Sequence, residues 1–145
     1  MVDPQIAVLR IALAFVFGAV AGIEREWRHK VAGIKTNALV AIGAAAFALM
    51  SDTFGPNNHN PAQLAAAVVT GIGFIGAGVI IHRGATVQGV TTAATLWANA
   101  SMGVALGLGY FAIGVTVFAG VIIVQFILPP IVAFVSDHGP RDRDR

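Results

Sequence analysis

Five apolar runs divide the chain, covering residues 5–23, 36–50, 63–81, 90–108 and 110–135, and the polar residues collect between them. A hydrocarbon core about 30 Å thick needs roughly 20 apolar residues in helical form, and each run comes near that length. The fourth run is the most polar and the fifth the longest. Only a Gly-Tyr pivot around Gly107 and Gly109 separates those two, which predicts a tight helical hairpin. The expected architecture is an all-α membrane protein, a compact bundle of five transmembrane helices. Residues 1–135 form the membrane domain and residues 136–145 a short charged tail.

Composition supports lipid as the solvent. The chain of 145 residues is 57% hydrophobic and 11% charged, against roughly 25% charged in a soluble domain. Its isoelectric point near 9.7 does not indicate nucleic acid, because the charges stand in short clusters beside apolar runs and not along a face. With no cysteine there is no disulfide framework and no thiolate ligand or nucleophile. Nine Lys and Arg are present, and eight of them lie in three segments: Arg25, Arg28, Lys30 and Lys35, then Arg83, then Arg141, Arg143 and Arg145. Five spans put those segments on one side. The loop "SDTFGPNNHNPAQ" and the Gly-Tyr pivot, which carry no Lys or Arg, fall on the other. The positive-inside rule then places the N-terminus outside and the C-terminus in the cytoplasm of a bacterial inner membrane.

The third run contains "GIGFIGAG", which reads as GxGxxG from Gly71 to Gly76. A dinucleotide fingerprint needs a strand before it and an acid about 20 residues after it. Here an alanine-rich stretch opened by Pro61 precedes the glycines, and no Asp or Glu follows until Asp137. The match is accidental. On a helix, Gly71 and Gly78 share one side while Gly73 and Gly76 fall on the other. Small residues let helices approach closely in lipid, so the expectation is that the third span is the bundle's centre. Gly18 and Gly22 of the first span and Gly103 and Gly107 of the fourth then add GxxxG contacts. The alternative is a helix unwound at these glycines to present carbonyls to an ion.

Polar groups within spans are the candidates for function. Arg10 lies about four residues inside the first span, and about 21 Å of helix separates it from Glu24. It either snorkels to the interface or meets Asp52 at the outer end of the second span. At the inner surface Arg25, Arg28, Lys30 and Lys35 set topology and Trp27 anchors the interface. Glu24 and Glu26 have no such explanation, which makes the Glu24–Arg25 region the leading charge cluster. In the fourth span Thr92, Thr95, Asn99 and Gly103 align along one face, and the Asn99 amide serves as interhelical glue or as part of a polar path. No catalytic constellation is present: the histidines have no HxxxH spacing and the serines no GxSxG context. The expectation is a non-enzyme without a cofactor or metal site.

Four ordered stretches, "GIERE" at 22–26, "AGIKTNALVAIGAAAF" at 32–47, "GIGFIGAGVI" at 71–80 and "VQGVTTAATLWANASMGVALGLG" at 87–109, resemble the MgtC/SapB membrane family. Lys35 departs from the pattern, standing where the family usually has Arg. The chain also ends after the fifth span, without the cytoplasmic domain that longer members carry. Carried over by motif, the positions singled out are Arg10, Glu24, Arg25, Lys35, Thr36, Asn37, Thr91, Thr92, Trp97 and Asn99. The resemblance implies an inner-membrane protein linked to growth at low magnesium and, in pathogens, to survival inside macrophages. It also implies a partner in the F-type ATP synthase, which some members restrain. Two readings result. The first is a small regulatory or accessory protein in magnesium homeostasis that contacts other membrane proteins through its helices. The second is a small ion or solute transporter, Mg²⁺-related and working as a homo-oligomer; a homodimer fits either.

Overall fold

The computed structural model describes residues 2–51, 61–83 and 86–138. Helix α1 spans Pro4–Trp27, α2 Ile34–Ser51, α3 Pro61–Val79 and α4 Val90–Gly107. The fifth rod, Phe111–His138, consists of α5 (Phe111–Ile122), a π-helical stretch (Ile123–Ile127) and α6 (Leu128–His138). A small antiparallel ribbon, β1 (Ile81–Arg83) and β2 (Thr86–Gln88), joins α3 to α4 with Ile81 opposite Gln88. Four of the five rods are long and apolar enough to cross a membrane; α4 falls short in hydropathy.

Local chemistry accounts for the helix ends. Asp3 caps α1 by accepting the Gln5 amide at 2.8 Å, and Pro4 occupies the first helical position, where its missing N–H is no loss. The α1 exit is a Schellman turn: Lys30 N–H bonds the Arg25 carbonyl and His29 N–H the Glu26 carbonyl, with His29 at φ 52°. The same turn closes α4, where Tyr110 N–H reaches Ala105 and Gly109 N–H reaches Leu106, with Gly109 at φ 84°. This is the hairpin pivot expected from the sequence. In the fifth rod Pro129 and Pro130 lack the N–H groups that would bond residues 125 and 126, and their rings crowd those carbonyls. The turn before them opens to π geometry, and Leu128 N–H bonds Ile123.

The centre of the bundle is α4, not α3. Its buried residues run along most of its length, from Thr92 through Leu96, Asn99, Met102 and Gly103 to Gly107, and it packs on α1, α2, α3 and α5. Four apolar neighbours shield it, so the least hydropathic span is the one that needs least to face lipid. The glycines of α1 and α4 close on α2. A side chain at Gly18 would meet Ala41 Cβ and Asn37 O at 2.8 Å, and one at Gly107 would meet Ala48 Cβ at 2.7 Å. The core that results is alanine-rich: Ala14, Ala41 and Ala45 pack with Met102 and Leu106, and Ala32, Ala44 and Ala100 with Leu96 and Ile72.

The expectation of a central, glycine-lined third helix is therefore overturned. Gly71, Gly73 and Gly78 have nothing within 4 Å of a notional Cβ, and Gly76 meets only Ala93, at 3.5 Å. Phe74 is 84% exposed. Glycine makes close approach possible but supplies no attraction, and the complementary small-residue surface belongs to α2 and is already taken by α1 and α4. The unwound alternative is also set aside, since α3 is a continuous α-helix across the glycines.

Candidate functional site

Three polar ties cross the bundle at different levels. At one end Arg10 Nη1 donates to the Gly107 carbonyl at 2.8 Å, and its guanidinium lies 6.0 Å over the Phe111 ring. Gly107 is in the last turn of α4, where the carbonyls carry partial negative charge, so the cation neutralises a helix C-terminus. Arg10 thus meets the end of α4, and Asp52, its other expected partner, lies outside the described residues. In the middle, Asn99 Nδ2 donates to Asn37 Oδ1 at 2.6 Å, with both residues wholly buried. Asn37 Nδ2 in turn donates to Ala32 O at 3.0 Å and Gly33 O at 2.8 Å. One amide pair thus ties α4 to α2 and α2 to its own entry loop.

The third tie lies at the end where α1 leaves and α4 begins. Arg25, 5% exposed, donates from Nη2 to Thr92 Oγ1 at 2.8 Å. Glu24, also buried, accepts from Arg28 Nε at 2.7 Å and stands 3.7 Å from Arg25 Nη1. Glu26 acts elsewhere, its Oε2 accepting the Ile34 amide at 3.0 Å and so capping α2 from a distance. Gly33 leaves room for that carboxylate, which would have to swing aside for a side chain at this position.

Around the Glu24–Arg25 pair opens a cavity of about 320 Å³, bordered by Arg28, Lys30, Thr91, Thr92 and Gln125. The N-terminus of α4 forms part of its wall. Gly89 occupies the cap position at φ 91° with no side-chain cap bond, and a Cβ there would collide with the Val79 carbonyl. Gln125, on the π-helical stretch, is 4% exposed, and neither its amide nitrogen nor its oxygen has a partner. Arg25 Nε is also a buried donor without an acceptor. π-Helical turns inside α-helices recur at functional sites.

Of the sequence candidates, Glu24, Arg25, Thr91 and Thr92 therefore meet at one cavity, while Asn37 and Asn99 pair mid-bundle and Arg10 stands at the far end. Lys35 is exposed at the start of α2, Thr36 faces a different, apolar cavity, and Trp97 is 51% exposed. Gln125 is missed by reading the sequence alone. Its signal is a lone amide in "VIIVQFILPP", an apolar run where any polar group needs a reason. No group of three or more His, Asp or Glu side chains that could hold a metal forms among the described residues.

The ordered motifs now have a three-dimensional counterpart, and the comparison with known proteins is decisive. The model of the MgtC family matches residues 11–134. The chain belongs to the MgtC family. Protein MgtC of Salmonella typhimurium is 52% identical over 104 residues, covering 72% of this chain and 44% of that protein. Protein MgtC of Brucella abortus is 43% identical over 122 residues, 84% of this chain and 51% of its own length. An uncharacterized Synechocystis protein is 42% identical over 134 residues, 92% of this chain and 56% of that one. The chain thus spans about half the length of the curated relatives it matches. No solved structure matches it.

Proposed function

We propose that this MgtC-family membrane protein is a regulatory or accessory component of magnesium homeostasis and low-magnesium adaptation. It resides in the bacterial inner membrane with its C-terminus in the cytoplasm, and acts by binding other membrane proteins rather than by conducting ions. The observation that carries this reading is the disposition of its polar groups. Arg10, Asn37, Asn99, Arg25 and Thr92 are tied to each other or to backbone carbonyls between helices. The three ties stand at separate levels, with alanine-rich packing between them. Such ties act as glue, in keeping with the modest but real strength of hydrogen bonds between membrane helices.

A second opening has the opposite character. A cavity of about 690 Å³ lies between α2 and α3, bordered by Leu39, Phe47, Leu64, Val68, Gly71 and Ile75. It is apolar, as suits a neighbouring helix and not a hydrated ion. The uncovered glycine face of α3 borders it and would let another backbone come close. An F-type ATP synthase subunit is the first partner to test, and a second copy of the chain the next.

Purified protein in liposomes loaded with a Mg²⁺ or H⁺ reporter tests the reading. The expected result is no flux above that of protein-free vesicles. Flux that Asn99→Leu or Glu24→Gln abolishes would establish the transport alternative.

A further inference from the structure

The basic cavity carries an inference independent of which protein partner the chain serves. The buried Arg25 is matched by the buried Glu24, and the exposed Arg28 and Lys30 add two further cations to the lining. Arg25, Arg28 and Lys30 border the cavity against one carboxylate, Glu24. The start of α4 adds to the excess. A helix N-terminus presents unbonded N–H groups and about half a positive charge, and no side chain caps this one.

A helix N-terminus beside basic residues would not by itself define a site, but the unmet hydrogen bonds do. Gln125 borders this cavity, is 4% exposed, and leaves both ends of its amide unpartnered. Arg25 Nε is a second buried donor with no acceptor. A buried polar group without a partner costs about 1–3 kcal/mol. The space holds more than a stray water: about 320 Å³ compares with about 30 Å³ for one water molecule. Its lining is also mixed, with Val87, Val90, Val124 and Pro129 as well as the charged groups.

We propose that this cavity binds a phosphoryl group, held by Arg28, Lys30, the Gln125 amide and the N-terminus of α4. A tetrahedral oxyanion accepts from several donors at once. Guanidinium groups and helix N-termini are its ordinary partners. The apolar wall lets the group arrive esterified, as the phosphodiester of an anionic lipid, with the glycerol end against Val124 and Pro129. A free phosphate would use the polar half alone.

The full chain, purified in a neutral sugar detergent and phosphate-free buffer, provides the test. Its thermal midpoint is measured with inorganic phosphate, with dioctanoyl phosphatidylglycerol, and with uncharged dioctanoylglycerol. The expected result is a rise of a few degrees with a phosphate-bearing probe and none with dioctanoylglycerol. A response to inorganic phosphate assigns a free anion, and a response to the lipid alone assigns a headgroup. Gln125→Leu, which removes an unpartnered amide, should leave the ligand-free midpoint unchanged or raised. That variant and Lys30→Gln should each lose at least half of the ligand-induced shift. The proposal is overturned if neither phosphate probe shifts the midpoint, if dioctanoylglycerol shifts it equally, or if both variants keep the full response.

Discussion

Two alanine substitutions should move stability in opposite directions although both replace a glycine in a membrane helix. At Gly103 the new Cβ would press on the Ala41 carbonyl oxygen and stand 2.9 Å from Ala44 Cβ and 3.1 Å from the Ala41 carbonyl carbon. Carbon atoms prefer separations of about 3.5–4.0 Å, so α4 must retreat from α2 by about 0.5–1 Å. Overpacking of this kind costs about 1–3 kcal/mol, against a gain of about 0.8–1 kcal/mol in helix propensity. The net effect of Gly103→Ala is a loss of up to about 2 kcal/mol. At Gly73 nothing lies within 4 Å, so Gly73→Ala keeps the propensity gain of about 0.8–1 kcal/mol alone. The assay is reversible unfolding of both variants in one detergent, followed by circular dichroism, with about 1–3 kcal/mol expected between them. Equal destabilisation by both variants would mean that α3 is packed as tightly as α4, contrary to the open surroundings of Gly73.

Further outcomes follow from the polar ties. Asn37→Leu should destabilise the bundle more than Asn99→Leu, by about 1 kcal/mol, because Asn37 also holds two carbonyls of the α1–α2 loop; equilibrium unfolding of the two variants checks the order. Arg10→Leu strips the Gly107 carbonyl of its charged donor and should cost about 1.5–3 kcal/mol by the same measurement. His29→Gly should raise stability by about 1 kcal/mol, since φ 52° is a left-handed conformation that glycine adopts without a steric cost; a thermal melt suffices. Glu26→Ala removes the remote cap of α2 and should cost about 0.5–2 kcal/mol, with early amide exchange at Ile34.

Much of the architecture is legible in the hydropathy pattern. Periodic apolar runs and their lengths indicate five rods, and Gly109 after α4 indicates the sharp hairpin. The arrangement of the rods is less accessible. The glycines of α3 suggest a centre, but glycine content does not reveal whether a neighbour matches it. The alanines at 38, 41, 44, 45 and 48 of α2 form the matching surface, and alanine is too common in apolar helices to draw notice. The low hydropathy of α4 is the better pointer, because a span that carries Thr92, Thr95 and Asn99 is tolerated where other helices cover it.

The candidate site is half legible. Glu24 and Arg25 stand out as charges beside an apolar run, and the threonines of α4 as hydroxyls on one face. Their meeting depends on the α1–α4 approach, which no local pattern encodes. Gln125 becomes conspicuous only once Pro129 and Pro130 are seen to widen the turn that carries it. The short ribbon at residues 81–88 is likewise hidden, since strands of three residues leave no measurable alternation.

The central claim is that α4 is the buried axis of the bundle and α3 lies at its edge. The chain in liposomes, photolysed with a lipid-soluble diazirine and mapped by mass spectrometry, gives a direct measurement. Phe74 is 84% exposed and Leu96 fully buried, so Phe74 should take up label and Leu96 only after denaturation. Rapid labelling at 96 with protection at 74 would contradict the account.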